Sequence, residues 1–176
     1  MGARHLPAEI LTRLDRTLAG LGVDVLTSCL LVTVEQSAAE AAAGLRRLRW
    51  ASAGHLPAAL LHADGTAELL TIENGPLLGV QPDTVRVDHE HLVEQGSTLL
   101  LYTDGLVERR DRHLADGLET LRAALARHAT VPLDDLVDVL VADLTGHTRH
   151  DDVAVLGVRF HPEDQPRPPD AGPSRA

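Results

Sequence analysis

A single cysteine, Cys29, excludes any disulfide within the chain and leaves the redox compartment open. It sits in the largely apolar stretch Leu26–Val34 and reads as a small buried hydrophobe. Aromatic residues make up only 2% of the chain, and Trp50, Tyr102 and Phe160 are all of them. The core must therefore be Leu, Val, Ile and Ala. Lysine is absent. All 16 basic residues are arginine, which, with the abundant Ala, Gly and Leu, reads as the coding bias of a GC-rich genome. No apolar run approaches the roughly 18 residues that span a bilayer, and Arg4 and His5 are not followed by the apolar segment of a signal peptide. The expectation is a cytoplasmic protein without membrane contact. The net charge of −10 argues against binding nucleic acid or anionic membranes, and suits a basic partner or a metal cation.

Several motifs are missing as well. There is no Gly-rich phosphate loop, no HExxH, no CxxC and no Gly-x-Ser-x-Gly elbow, which disfavours mononucleotide, zinc and serine-hydrolase chemistry. His147 and His150, which bracket Thr148-Arg149, do not supply a zinc pattern.

What is present suits one domain of 176 residues, 44% of them apolar. Ile10, Leu11, Leu14 and Leu18 recur at helical spacing and predict a helix over Pro7–Leu21, with Pro7 in its first turn and Gly20 and Gly22 at its end. Strands are predicted over Val25–Val34 and over Leu45–Ser52, where Leu48 and Trp50 alternate with Arg47 and Arg49. Glu35–Gly44 between them fits a short helix or a wide hairpin loop. After the break at Ala53–Pro57, Ala58–His62 and Ala67–Ile72 flank the turn Ala63-Asp64-Gly65, so the middle of the chain reads as a meander. Val85 and Val87, alternating with Arg86 and Asp88, predict one more strand, and Ser97–Thr103 another. Helices over Leu114–His128 and from Pro132 to about Leu144 precede a last strand, Val153–Phe160. Residues 161–176 hold five of the ten prolines and almost nothing apolar, and are expected to be a disordered tail after a domain over 1–160. Helix, antiparallel strands, two helices and a strand make an α+β fold.

Two acidic features bear on chemistry. Leu99–Tyr102 is an apolar strand that runs into Asp104-Gly105, and Asp151-Asp152 precedes the last strand. If those strands are antiparallel neighbours, their acidic ends meet. Asp104 and Asp151 then make either a hard-oxygen site for Mg²⁺ or Mn²⁺, which keeps several waters, or an acidic turn at a sheet edge. His55, between Gly54 and Leu56-Pro57, reads either as a structural histidine at a strand break or as a catalytic one.

Four motifs stand in order: Ala51-Ser52-Ala53-Gly54-His55-Leu56-Pro57, Gly75-Pro76-Leu77-Leu78-Gly79-Val80, Leu100-Leu101-Tyr102-Thr103-Asp104-Gly105-Leu106-Val107-Glu108, and Asp151-Asp152-Val153-Ala154-Val155-Leu156. Together, over about residues 5–160, they resemble the bacterial PP2C-like (PPM-type) serine/threonine phosphatases of the SpoIIE/RsbU group. The resemblance implies an αββα sandwich with two metals, Mn²⁺ or Mg²⁺, at one edge of the sheet pair. It also implies direct hydrolysis of phosphoserine or phosphothreonine by a metal-bound water. By this resemblance Asp104 and Asp151 correspond to metal ligands, Asp152 is a neighbour, and the partner is a phosphoprotein substrate or a regulatory protein.

The family's Gly-Asp-aromatic-Tyr-Asp and Gly-Asp-Val-x-Gly-His-Gly motifs, which carry its other metal-binding groups, do not occur in the chain. The expectation is therefore a C-terminal portion of the domain: a partial αββα sandwich lacking the leading strands, with sheet edges open to association. Weak metal binding and little or no phosphatase activity go with it. Three readings stand open: part of a phosphatase, a non-catalytic module binding a regulatory partner of anti-anti-sigma type, or a fragment completed by a separate chain.

Overall fold

The predicted first helix forms over Pro7–Gly20 (α1) in the computed structural model, which describes residues 6–22, 24, 26–70, 72–73, 75–109, 112–145 and 152–162. Pro7 sits in the first turn, and the Asp88 carboxylate accepts the otherwise orphan N–H of Ala8 at 2.8 Å. The buried face differs from the predicted one. Leu11 is buried, whereas Ile10 and Leu14 are exposed, and the inward-facing residue of the next turn is Asp15.

Seven strands follow among the described residues: β1 (Cys29–Glu35), β2 (Leu45–Ala53), β3 (Ala59–Leu61), β4 (Ala67–Leu69), β5 (His89–Glu94), β6 (Thr98–Tyr102) and β7 (Val155–Arg159). They form two antiparallel sheets, ordered β1-β2-β5 and β4-β3-β6-β7. The predicted meander is thus split. β2 belongs to one sheet and the β3–β4 hairpin to the other, and the Gly54–Pro57 turn carries the chain across. The open segment between β1 and β2 is a short helix, Ala38–Ala42 (α2), begun by a reciprocal capping box between Ser37 and Glu40.

Strand alternation builds the layers. Leu48 and Trp50 of β2 face Leu60 of β3 and Leu99 of β6 across the two sheets, with Val93 and Phe160 in the same cluster. Ala51 and Ala53 face the other way, onto Ala8 and Leu11 of α1. On the far side, Ala59, Leu61, Leu100 and Tyr102 pack against two further helices, α3 (Leu114–Arg127) and α4 (Leu133–Thr145), through Leu121, Leu125, Leu136 and Leu140. Each fully buried leucine contributes about 1.5–3 kcal/mol. The architecture is an αββα sandwich with an aliphatic core, as the composition requires.

One strand was misplaced by the sequence pattern. Residues 85–88 are not a strand; β5 begins at His89. Val85 is 89% exposed and Arg86 is buried, the inverse of the predicted alternation. The reason is electrostatic. The Arg86 guanidinium reaches Asp15 at 2.6 Å and donates to the carbonyls of Pro76 and Ser52 at 3.0 and 3.3 Å. Asp15 also accepts the Gly79 N–H at 2.7 Å. A paired, hydrogen-bonded charge can be buried where a lone one cannot. From 163 onward, the segment expected to be a tail lies outside the described residues.

Candidate active site

The core strand β6 ends where its chemistry begins. Leaving Tyr102, the chain enters a one-turn 3₁₀ helix over Asp104–Leu106. Asp104 Oδ1 accepts the Gly105 N–H at 2.9 Å, and the Asp104 carbonyl accepts the N–H groups of Val107 and Glu108 at 2.9 and 2.7 Å. Leu106 and Val107 are buried against the helical layer, which leaves Asp104 and Glu108 exposed on the open side. Gly117 of α3 permits this packing, because a Cβ there would overlap the Val107 carbonyl oxygen.

β6 and β7 are antiparallel neighbours, the condition on which the meeting of the acidic strand ends depends, with Tyr102 opposite Val155. Thr103 fastens the approach to β7. Its N–H donates to the Ala154 carbonyl at 3.0 Å, its hydroxyl donates to the Asp152 carbonyl at 3.2 Å, and the same oxygen accepts the Ala154 N–H at 2.9 Å. The segment around Asp152 is thereby brought to the end of β6. Asp151, His147 and His150 lie outside the described residues.

A second turn closes over the first. Gly54, at φ +67°, reverses the chain after β2, a conformation that favours glycine. The Ser52 hydroxyl, on a buried residue, accepts the His55 N–H and donates to the His55 carbonyl, both at 3.1 Å. Tyr102 donates its hydroxyl to the Pro57 carbonyl at 2.7 Å, and burial pushes its phenol above the ordinary pKa. Ser28 Oγ lies 3.0 Å from His55 Nδ1. Between the two turns lies a cavity of about 380 Å³, with Thr103, Asp104 and Glu108 on one side and Ser28, His55 and Leu77 on the other.

Asp104 thus stands where the sequence put it, at a strand end facing open space, with Glu108 and His55 in the same cavity. The strand-ending Asp-Gly signal pointed to Asp104. Glu108 and His55 each stand in one of the four motifs, and His55 is open in sequence between a structural and a catalytic role, but that they share a cavity with Asp104 depends on the 3₁₀ turn and on Leu77 packing over Gly54. The donors are the carboxylates of Asp104 and Glu108, since the Thr103 hydroxyl is engaged with β7 and Ser28 Oγ lies against His55, and carboxylate oxygens suit Mg²⁺ or Mn²⁺ retaining several waters. Among the described residues, no three His, Cys, Asp or Glu side chains are grouped to hold a metal ion, so this set does not form a closed protein cage.

The sequence-family model for Stage II sporulation protein E (SpoIIE) matches residues 1–161. The chain belongs to the SpoIIE family. Protein IcfG of Synechocystis sp. is 26% identical over 119 residues, which are 63% of this chain and 18% of IcfG. The solved RsbU and RsbW domains of Rv1364c from Mycobacterium tuberculosis superpose with a TM-score of 0.75 at 24% identity, over 93% of this chain and 44% of that one. The SiaA-PP2C domain of Pseudomonas aeruginosa gives 0.66 at 23% identity, over 89% and 60%. The SpoIIE phosphatase domain of Bacillus subtilis, presoaked with Mn, gives 0.64 at 14% identity, over 94% and 70%. The chain therefore spans less than a fifth of IcfG and under two thirds of the first two structures. At these identities the structural likeness establishes the fold, that of a PP2C-like phosphatase domain. Within the described residues, no helix of this SpoIIE-family chain is long and apolar enough to cross a membrane.

Proposed function

We propose that this chain serves divalent-metal-dependent hydrolysis of phosphoserine or phosphothreonine on a regulatory partner protein. The observation that carries the reading is the placement of Asp104 at the mouth of a 380 Å³ cavity, at the end of a core strand, with Glu108 beside it. Asp104 and Asp151 are the residues that would hold the cation, Mn²⁺ or Mg²⁺ by the hardness of their oxygens. When bound, such a cation supplies charge neutralisation at the phosphoryl group and an activated water. The chain's own part is positional. Thr103 ties the two strand ends together, the 3₁₀ turn aims Asp104 and Glu108 outward, and the Gly54–Pro57 turn walls the opposite side. A SpoIIE phosphatase domain presoaked with Mn among the structural relatives supports the metal. The RsbU and RsbW domains described together in one M. tuberculosis protein support a regulatory protein as the substrate class.

The test is phosphate release from a phosphoserine-bearing protein in Mn²⁺, together with Mn²⁺ binding, for wild type beside Asp104→Asn. Weak Mn²⁺ binding and at most slow, metal-dependent release are expected, because the Gly-Asp-aromatic-Tyr-Asp and Gly-Asp-Val-x-Gly-His-Gly motifs do not occur in the chain. Asp104→Asn abolishes both binding and release. Release that persists in Asp104→Asn, or the absence of Mn²⁺ binding in wild type, overturns the reading.

A further inference from the structure

The cavity that Asp104 and Glu108 line is acidic, yet the substrate proposed for it is an anion. A phosphoryl group entering there needs a donor besides the cation, and the lining offers few. Among the described lining residues, apart from the hydroxyls of Ser28 and Thr103, the side chains are aliphatic or carboxylate, with one exception, His55. Among the described lining residues, the His55 imidazole is the one group that can present a ring N–H to a phosphoryl oxygen.

We propose that His55 is the phosphate-binding residue of this cavity, donating through Nε2 to a phosphoryl oxygen of the substrate. This rests on the phosphatase reading above and adds to it the residue that receives the anion. The case is geometric. The ring is held at its other nitrogen, with Ser28 Oγ 3.0 Å from Nδ1. When the Ser28 hydroxyl donates to Nδ1, the ring proton sits on Nε2, which takes no hydrogen-bond partner among the described residues. The backbone beneath is fixed three ways: by the reciprocal Ser52 bonds to the His55 N–H and carbonyl, by the Tyr102 hydroxyl on the Pro57 carbonyl, and by the bridge pairing Gly54 with Cys29. Leu77 packs so closely over Gly54 that a Cβ there would lie 2.5 Å from its Cδ2. A merely structural histidine at a strand break has no need of a serine holding its ring at the rim of an open cavity. A ligand-binding one does, because a donor fixed beforehand loses little freedom when the anion arrives.

The experiment uses the full chain in saturating Mg²⁺ and inorganic phosphate as the probe. The His55 imidazole is followed by ¹⁵N–¹H NMR, with its signal assigned by its loss in His55→Gln. Metal binding is measured separately by calorimetry. Expected are a saturable shift of the His55 ring signal with phosphate and an affinity about tenfold weaker in His55→Ala, the size of one hydrogen bond to a charged group. His55→Gln, which keeps an N–H donor, recovers part of the loss. Mg²⁺ affinity stays unchanged in both variants. If Mg²⁺ binds but phosphate leaves the His55 ring unmoved, or if His55→Ala binds phosphate as wild type does, the inference fails and the phosphatase reading stands. If wild type binds neither Mg²⁺ nor Mn²⁺, the phosphatase reading fails and takes the inference with it. The ring shift is read on wild type, so a variant that misfolds does not leave the question open.

Discussion

Asp15 and Arg86, 71 positions apart in sequence, form an ion pair at 2.6 Å with each side chain only 1% exposed. Arg86 spreads its remaining bonds over the Ser52 and Pro76 carbonyls, and Asp15 takes the Gly79 N–H. The pair therefore fastens α1 to the end of β2 and to the Pro76–Gly79 loop, and that loop carries Leu77 over Gly54. It stands directly behind the wall of the candidate site. Removing one partner leaves the other charge buried and uncompensated. Asp15→Ala is expected to destabilise the fold by about 3–5 kcal/mol in urea unfolding. The double variant Asp15→Leu/Arg86→Met, apolar and of similar volume, is expected to recover part of that loss, the remainder reflecting the Gly79 N–H and the Ser52 and Pro76 carbonyls left without these partners. Equal losses in the single and double variants would count against an electrostatic role.

Gly117 fixes the seat of the Asp104 turn. Gly117→Ala forces a methyl group into the Val107 carbonyl, a backbone group that cannot swing aside. The expected cost is about 1–3 kcal/mol in thermal unfolding. Because the displaced segment is the one presenting Asp104 and Glu108, Mn²⁺ affinity should fall with it. Unchanged stability would show that α3 moves away freely, and that the turn is not clamped.

How much of this was legible in the sequence follows from how local each cause is. The two-residue alternation of Leu48 and Trp50 with Arg47 and Arg49 announced β2, and the run of leucines ending in Asp104-Gly105 announced both β6 and the exposed carboxylate. The same alternation misled at Val85, Arg86 and Val87, since the partner that draws Arg86 inward lies on a helix far away in the chain. β5 escaped notice because His89, Glu90 and His91 look like loop residues, and only Val93 on that strand is fully buried. The spacing of Ile10 and Leu14 predicts core positions, but the sheet meets the turn of α1 that carries Leu11 and Asp15. His55 and Glu108 stand in recognised motifs, but their meeting with Asp104 at one cavity depends on packing and turn geometry that a single motif does not encode.

The capping box of α2 gives a pH signature. Glu40 is held well below the ordinary carboxyl value of 4.5, to about 2, first by the Ser37 N–H, then by the Ser37 hydroxyl and by Arg47. A group whose folded pKa is depressed contributes stability above its unfolded pKa and loses it as pH falls toward its folded one. Wild type should therefore be more stable than Glu40→Gln at neutral pH. The gap should narrow below about 4.5 and close near 2. Chemical denaturation of both proteins across that range measures it, and a gap that stays constant with pH would exclude ionised Glu40 as the cause.

The most direct measurement is Mn²⁺ titration followed by water-proton relaxation, on wild type and Asp104→Asn side by side, with circular dichroism to verify that both are folded. The expected result is a saturable enhancement in wild type that Asp104→Asn removes, because a hard cation at this cavity depends on the carboxylate at the end of β6. An equal enhancement in the two folded proteins, or none in wild type, would contradict the assignment of this cavity as a metal-dependent phosphatase centre.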